Sequence, residues 1–146
     1  MVDASKTQPK TDTQLAPYIY FYGRCEEALG FYKSVFGGSY EMMRVADTPM
    51  AAEMPKESQT KIMHASFTAS NIKFMAADGR EAKAVDPDAG NVSLALSVSD
   101  RAEGERLCKL LADGGKVDMP FSEAFWGGMF GMVNDRFGSQ WMITSP

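Results

Sequence analysis

The side chains whose types and settings invite chemistry are His64, Glu123, Cys25 and Cys108. His64 is the only histidine and stands within Met63-His64-Ala65-Ser66-Phe67. With an ordinary pKa of about 6.5, an imidazole can act as a general base or orient a ligand near neutrality. It can equally hold two neighbouring strands together by a hydrogen bond. Glu123 precedes Phe125 and Trp126, and a carboxyl group beside large apolar rings can rise in pKa and serve as acid or base. The plainer reading is a rim glutamate bonded to backbone. Cys25 falls at the start of a predicted helix, where a thiol can gain thiolate character. Without a partner histidine, both cysteines read as inert thiols. Two of them make no disulfide framework, which points to a reducing, cytoplasmic setting.

These residues are carried by a repeated framework. The same 77-residue offset separates Arg24 from Arg101, Glu26 from Glu103, Gly37 from Gly114 and Met42 from Met119. Each copy follows a strand-like run, continues as an amphipathic helix and closes on Gly-Gly, so the chain reads as a duplicated unit. In the first half, Leu15 to Tyr22 reads as a strand, and apolar residues at Ala28, Leu29, Phe31, Tyr32, Val35 and Phe36 keep a helical period. Tyr40 to Val45 reads as a strand, 46–60 as a long proline-containing loop, and Ile62 to Thr68 with Ile72 to Ala77 as a hairpin. In the second half, Val92, Leu94, Leu96 and Val98 alternate with Ser93, Ala95 and Ser97. The first set is expected to pack under a helix that Ser99-Asp100 caps. Val117 to Met119 starts a strand that Pro120 interrupts, and Phe130 to Val133 with Gln140 to Thr144 form the last hairpin. Each half is therefore β-α-β-β-β, and His64 and Glu123 occupy corresponding later portions of the two. The division expected is a flexible tail over 1–14, a first module over 15–79, a connector over 80–90 and a second module over 91–146.

Composition narrows the partners. A net charge of −4 with 23% charged residues offers no basic stripe for nucleic acid. No apolar run approaches the roughly 20 residues that span a bilayer. Eleven methionines stand out, among them Met42, Met43, Met75, Met132 and Met142. Flexible thioethers suit either an adaptable binding surface or an irregular core. Trp126, Phe125 and Phe130 read as a stacking wall or as core, and Phe130 as core. No glycine-rich phosphate loop is present.

The double β-α-β-β-β order resembles the vicinal oxygen chelate superfamily, the glyoxalase/bleomycin-resistance fold. Several stretches resemble its PhnB-like subfamily: Pro17-Tyr18-Ile19-Tyr20-Phe21-Tyr22-Gly23-Arg24-Cys25-Glu26-Glu27-Ala28-Leu29, Met63-His64-Ala65-Ser66-Phe67, Glu123-Ala124-Phe125-Trp126 and Asp135-Arg136-Phe137-Gly138-Ser139-Gln140-Trp141-Met142-Ile143. The resemblance runs from about Leu15 to Thr144. It implies an α+β fold in which two paired βαβββ modules form an open, barrel-like mixed sheet around a central cleft, helices outside, usually as a homodimer. Metal-using relatives place four ligands in that cleft. Carried across, these positions fall at Pro17, at Phe74 or Met75, at Ser93 and at Met142. None is an imidazole or a carboxylate, so the usual metal site is absent and no cofactor is expected.

The function expected is binding of a small apolar or aromatic molecule in a metal-free cleft, through Ser93, Phe125, Trp126, Met142 and Met75. A lyase- or isomerase-type enzyme with His64 and Glu123 as acid and base, with or without a nonstandard metal, is the alternative; a purely structural module is the third. Proteins of this subfamily sometimes carry the label of a demethylubiquinone methyltransferase. That activity is not expected, because the usual methyl-donor site needs a glycine-rich turn in a parallel α/β sheet.

Overall fold

The computed structural model describes residues 8–79 and 91–146. The expected connector over 80–90 therefore lies outside the described residues, as does the start of the tail, and residues 8–14 are exposed and form neither helix nor strand. In the first module the order is β1 (Tyr18–Tyr20), α1 (Cys25–Phe36), β2 (Ser39–Arg44), β3 (Ile62–Ala69) and β4 (Ile72–Ala77). In the second it is β5 (Leu94–Ser97), α2 (Arg101–Ala112), β6 (Lys116–Glu123), β7 (Met129–Asn134) and β8 (Gln140–Ser145). The strands form two four-stranded mixed sheets, ordered β1-β4-β3-β2 and β5-β8-β7-β6. In each, the first strand lies parallel to the last, and the remaining neighbours are antiparallel. This is an α+β fold with no closed barrel.

The two helices start by different means. Asp100 caps α2 locally, its carboxylate accepting from the Glu103 backbone N–H at 2.8 Å. Arg24, at the same place before α1, gives no side-chain cap. Instead the buried Asp78 carboxylate, just past β4, accepts from the backbone N–H of Cys25 at 2.9 Å and of Ile62 at 2.7 Å. One acid thus satisfies the helix start and ties it to the beginning of β3.

Strand alternation splits each sheet into two faces. Ala65, Phe67, Phe74 and Ala76 are buried beneath α1, and Val133, Trp141 and Ile143 beneath α2. The two helix-side faces share one core. Tyr32 of α1 joins them: its ring meets Trp141 at 5.7 Å and Phe137 at 6.0 Å, and its hydroxyl donates to Asp135. Asp135 also accepts from Trp141 Nε1 at 2.9 Å and from the backbone N–H of Phe137 and Ser139. Burial and the Asp135 carboxylate push the Tyr32 hydroxyl well above its ordinary pKa, so it stays a donor.

Two local expectations are corrected, at Val92 and Phe130, and two are refined, at Pro120 and in the stretch after β2. Val92 is 78% exposed rather than packed under a helix, because β5 begins only at Leu94. Pro120 does interrupt the pairing of β6, in a register shift between Met119 and Ser122, but the strand runs on to Glu123, which an outer strand tolerates because no neighbour needs the missing N–H. Phe130 is half-buried on the face opposite the core, since Gly131 and Val133 take the helix side. The stretch after β2 is organised as three 3₁₀ turns, Val45–Asp47, Pro49–Glu53 and Lys56–Ser58. The Gln59 amide gathers it by donating to the carbonyls of Ala51 at 2.8 Å and Met54 at 3.1 Å.

Candidate functional site

The faces turned away from the helices are where side chains of the expected chemistry collect. On the first sheet, register sets Tyr18 beside Met75 and Met75 beside Ser66, while Met43 pairs with His64. Tyr18 and Tyr20, two residues apart on β1, share this face; their rings lie 5.3 Å apart and the Tyr18 ring lies 5.7 Å from His64. The Tyr18 hydroxyl is 3.3 Å from His64 Nδ1. Partial burial first, and then Tyr20 and Cys25, raise the Tyr18 pKa, which keeps the phenol protonated. Tyr18, Tyr20 and Met43 are 39%, 54% and 42% exposed, so this face is open.

On the second sheet the equivalent face carries Ala95, Ser97, Met142, Thr144, Met132 and Phe130. Met119, Met132 and Met142 are successive cross-strand partners, and Met142 adjoins Ala95. Beyond Glu123 the chain turns through Gly127 and Gly128, both at positive φ, and presents Phe125 at 97% and Trp126 at 61% exposure. The Trp126 ring folds back to 5.7 Å from Phe130.

His64 and Glu123 belong to different sheets. His64 is half-buried beside Tyr18, whereas Glu123 pairs with Arg101 at 3.1 Å near the end of β6, its side chain 75% exposed. Ser93 precedes β5; its hydroxyl donates to Gln140 Oε1. It lines a cavity of about 400 Å³ where Pro17 and the start of β4 approach β5, with Lys73, Ser97 and Trp141 among the other walls. Phe74 belongs to the core, stacked on Phe67 at 5.0 Å, so of the two candidates there only Met75 reaches the open face.

Register also tests the family's metal positions. The first-strand partner of Met75 is Tyr18, and that of Met142 is Ala95. Pro17 and Ser93 stand one and two residues earlier. A phenol, a methyl group and two thioethers do not fit a hard divalent ion, which needs imidazole or carboxylate donors. No group of three His, Cys, Asp or Glu able to hold a metal occurs among the described residues. The cysteines are buried; burial, with Asp78 and Glu26 nearby, pushes the Cys25 thiol up to about 12, and burial with Glu105 pushes Cys108 up to about 11.

Tyr18, Tyr20 and Met119 were not singled out by sequence reasoning. A period-two reading of Tyr18-Ile19-Tyr20-Phe21 does separate the tyrosines from the core pair and could have found them.

Two βαβββ modules with this strand order define a glyoxalase/bleomycin-resistance fold. The chain belongs to the PhnB-like family described as 3-demethylubiquinone-9 3-methyltransferase, whose profile matches residues 13–144. It is 30% identical over 139 residues to protein YjdN of Escherichia coli, covering 89% of this chain and 93% of that protein. Protein PA1353 from Pseudomonas aeruginosa is 38% identical, with a TM-score of 0.78 over 92% of this chain and 98% of its own. A bleomycin resistance determinant encoded on transposon Tn5, 16% identical, shares the fold alone, with a TM-score of 0.55 over 91% and 97% of the two chains. No helix among the described residues is long and apolar enough to cross a membrane.

Proposed function

We propose that this PhnB-like protein binds a small apolar or aromatic molecule on the open faces of its sheets, without a metal. The observation that carries the reading is the row of half-exposed rings and thioethers on the helix-free faces, Tyr18, Tyr20, Met43, Met75 and Met142, with Phe125 and Trp126 at their rim. Contiguous exposed apolar groups of this kind mark ligand or partner surfaces, and thioethers accommodate varied shapes. A second copy of the chain covers these faces in solution, as a homodimer, which would enclose the bound molecule. The two unpaired buried thiols suit a reducing compartment such as the cytoplasm.

Titration with 1-anilinonaphthalene-8-sulfonate tests the reading. Saturable fluorescence enhancement is expected, with quenching of Trp126 emission, weakened about tenfold by Tyr20→Ala, the value of one aromatic contact. A linear, unsaturable response would end it. Sedimentation equilibrium tests the cover: a strict monomer at high concentration removes the dimer from the proposal.

The family description names a methyl transfer, and we propose that this chain does not perform it. β1 reaches α1 through Phe21-Tyr22-Gly23-Arg24, without the glycine-rich turn and parallel sheet that cradle such donors. Stoichiometric binding of S-adenosylmethionine would overturn that. A second reading is favoured by the Tyr18–His64 contact: His64 as the acid–base residue of a lyase- or isomerase-type reaction, with Tyr18 rather than Glu123 beside it. Turnover that survives His64→Ala would sink this version.

A further inference from the structure

The open face of the second sheet carries a pattern that an apolar surface alone does not require. Met119 on β6, Met132 on β7 and Met142 on β8 occupy one cross-strand row. The chain neighbours of Met132 and Met142, namely Val133, Trp141 and Ile143, are buried under α2, and Met119 pairs directly with Met132 across the register shifts of β6, so the three thioethers stand side by side on the opposite face. Directly paired residues on adjacent strands place their Cβ atoms about 5 Å apart. Each methionine has three rotatable side-chain bonds, and three such chains from consecutive strands can converge their sulfur atoms on one point. Ala95, the next residue of the row, is small and leaves that point uncrowded. Met119 is 47% exposed on the outer strand, which gives an entry path.

Thioethers are neutral, soft donors. They do not replace the imidazole and carboxylate groups that hold hard divalent ions, but they select soft monovalent ions. We propose that Met119, Met132 and Met142 form a three-thioether site for copper(I) or its analogue silver(I). This goes beyond the small-molecule reading and does not depend on it, because leucine would serve an apolar ligand as well as methionine does.

The test is titration of protein carrying ¹³C-methyl methionine with silver nitrate in chloride-free buffer, followed by NMR. Three methyl signals, assigned through Met119→Leu, Met132→Leu and Met142→Leu, should move together and saturate at one ion per chain. Because methionine-to-leucine exchange nearly conserves volume, Met132→Leu should unfold in urea at an unchanged midpoint while its silver affinity falls at least tenfold. The outer-strand Met119→Leu should give the same loss if Met132→Leu perturbs the fold. Silver that moves none of the three methyls and goes only to Cys25 or Cys108 overturns the site, as does undiminished affinity in the leucine variants. Loss of the aromatic probe alone, with silver binding retained, counts against the small-molecule reading and not against this one.

Discussion

The two modules share one topology but obtain their stability from different distances along the chain. α2 is started by the residue that precedes it, Asp100. α1 is started by Asp78, which is 53 residues from Cys25 in sequence. The first module also lends its Tyr32 to the second, where Asp135 receives it. Outer strand β6 is exposed along most of its length, whereas its counterpart β2 alternates exposed with half-buried residues. A duplicated pattern therefore does not mean two equivalent units. The start of α2 is specified locally, and that of α1 by a contact that exists only once the chain has folded.

Asp135→Ala should break this comparison most severely. It leaves the buried Trp141 and Tyr32 donors and two backbone N–H groups without an acceptor, at about 1–3 kcal/mol per orphaned group before relaxation. A loss of roughly 4 kcal/mol in urea unfolding is expected; a loss below about 1 kcal/mol would deny the hub its role. Asp78→Ala should cost about 2 kcal/mol because two buried backbone donors lose their partner. Asp100→Ala, which removes an exposed cap, should cost about 1 kcal/mol. Equal losses at Asp78 and Asp100 would contradict the local-versus-distant distinction.

A smaller effect concerns pH. The folded state raises the Cys25 thiol from the ordinary thiol range to about 12. Its contribution to stability is therefore complete at neutral pH, below the unfolded pKa of about 8.5, and is lost as pH climbs from there toward the folded value. Iodoacetamide at mildly alkaline pH should leave Cys25 unmodified by mass spectrometry, and rapid labelling of folded protein would contradict that burial. Least of all, Phe125→Ser should change stability by no more than about 0.5 kcal/mol, since its ring is almost fully exposed.

Much of the framework was legible because it is local. The helical period around Ala28-Leu29, the Asp100 cap and the β3–β4 hairpin all follow from nearest neighbours. Asp78 and Asp135 were not legible as hubs, because their partners are set by tertiary contact rather than by spacing. The open faces were half legible: Ser93, Ala95 and Ser97 revealed the alternation on β5, while the pairing of Tyr18 with Met75 and of Ala95 with Met142 came only from register. A strand's period of two fixes which side chains share a face, and on β1 that period went unread, which left both tyrosines unassigned.

The bond from Tyr32 to Asp135 reaches across the boundary between repeats. A stand-alone ancestor of either half would have kept its helix yet lacked this rivet, leaving a polar hydroxyl with no acid to meet it. Cleaving the present chain between the repeats should accordingly yield two fragments that are feeble alone and recover their shape only on being mixed.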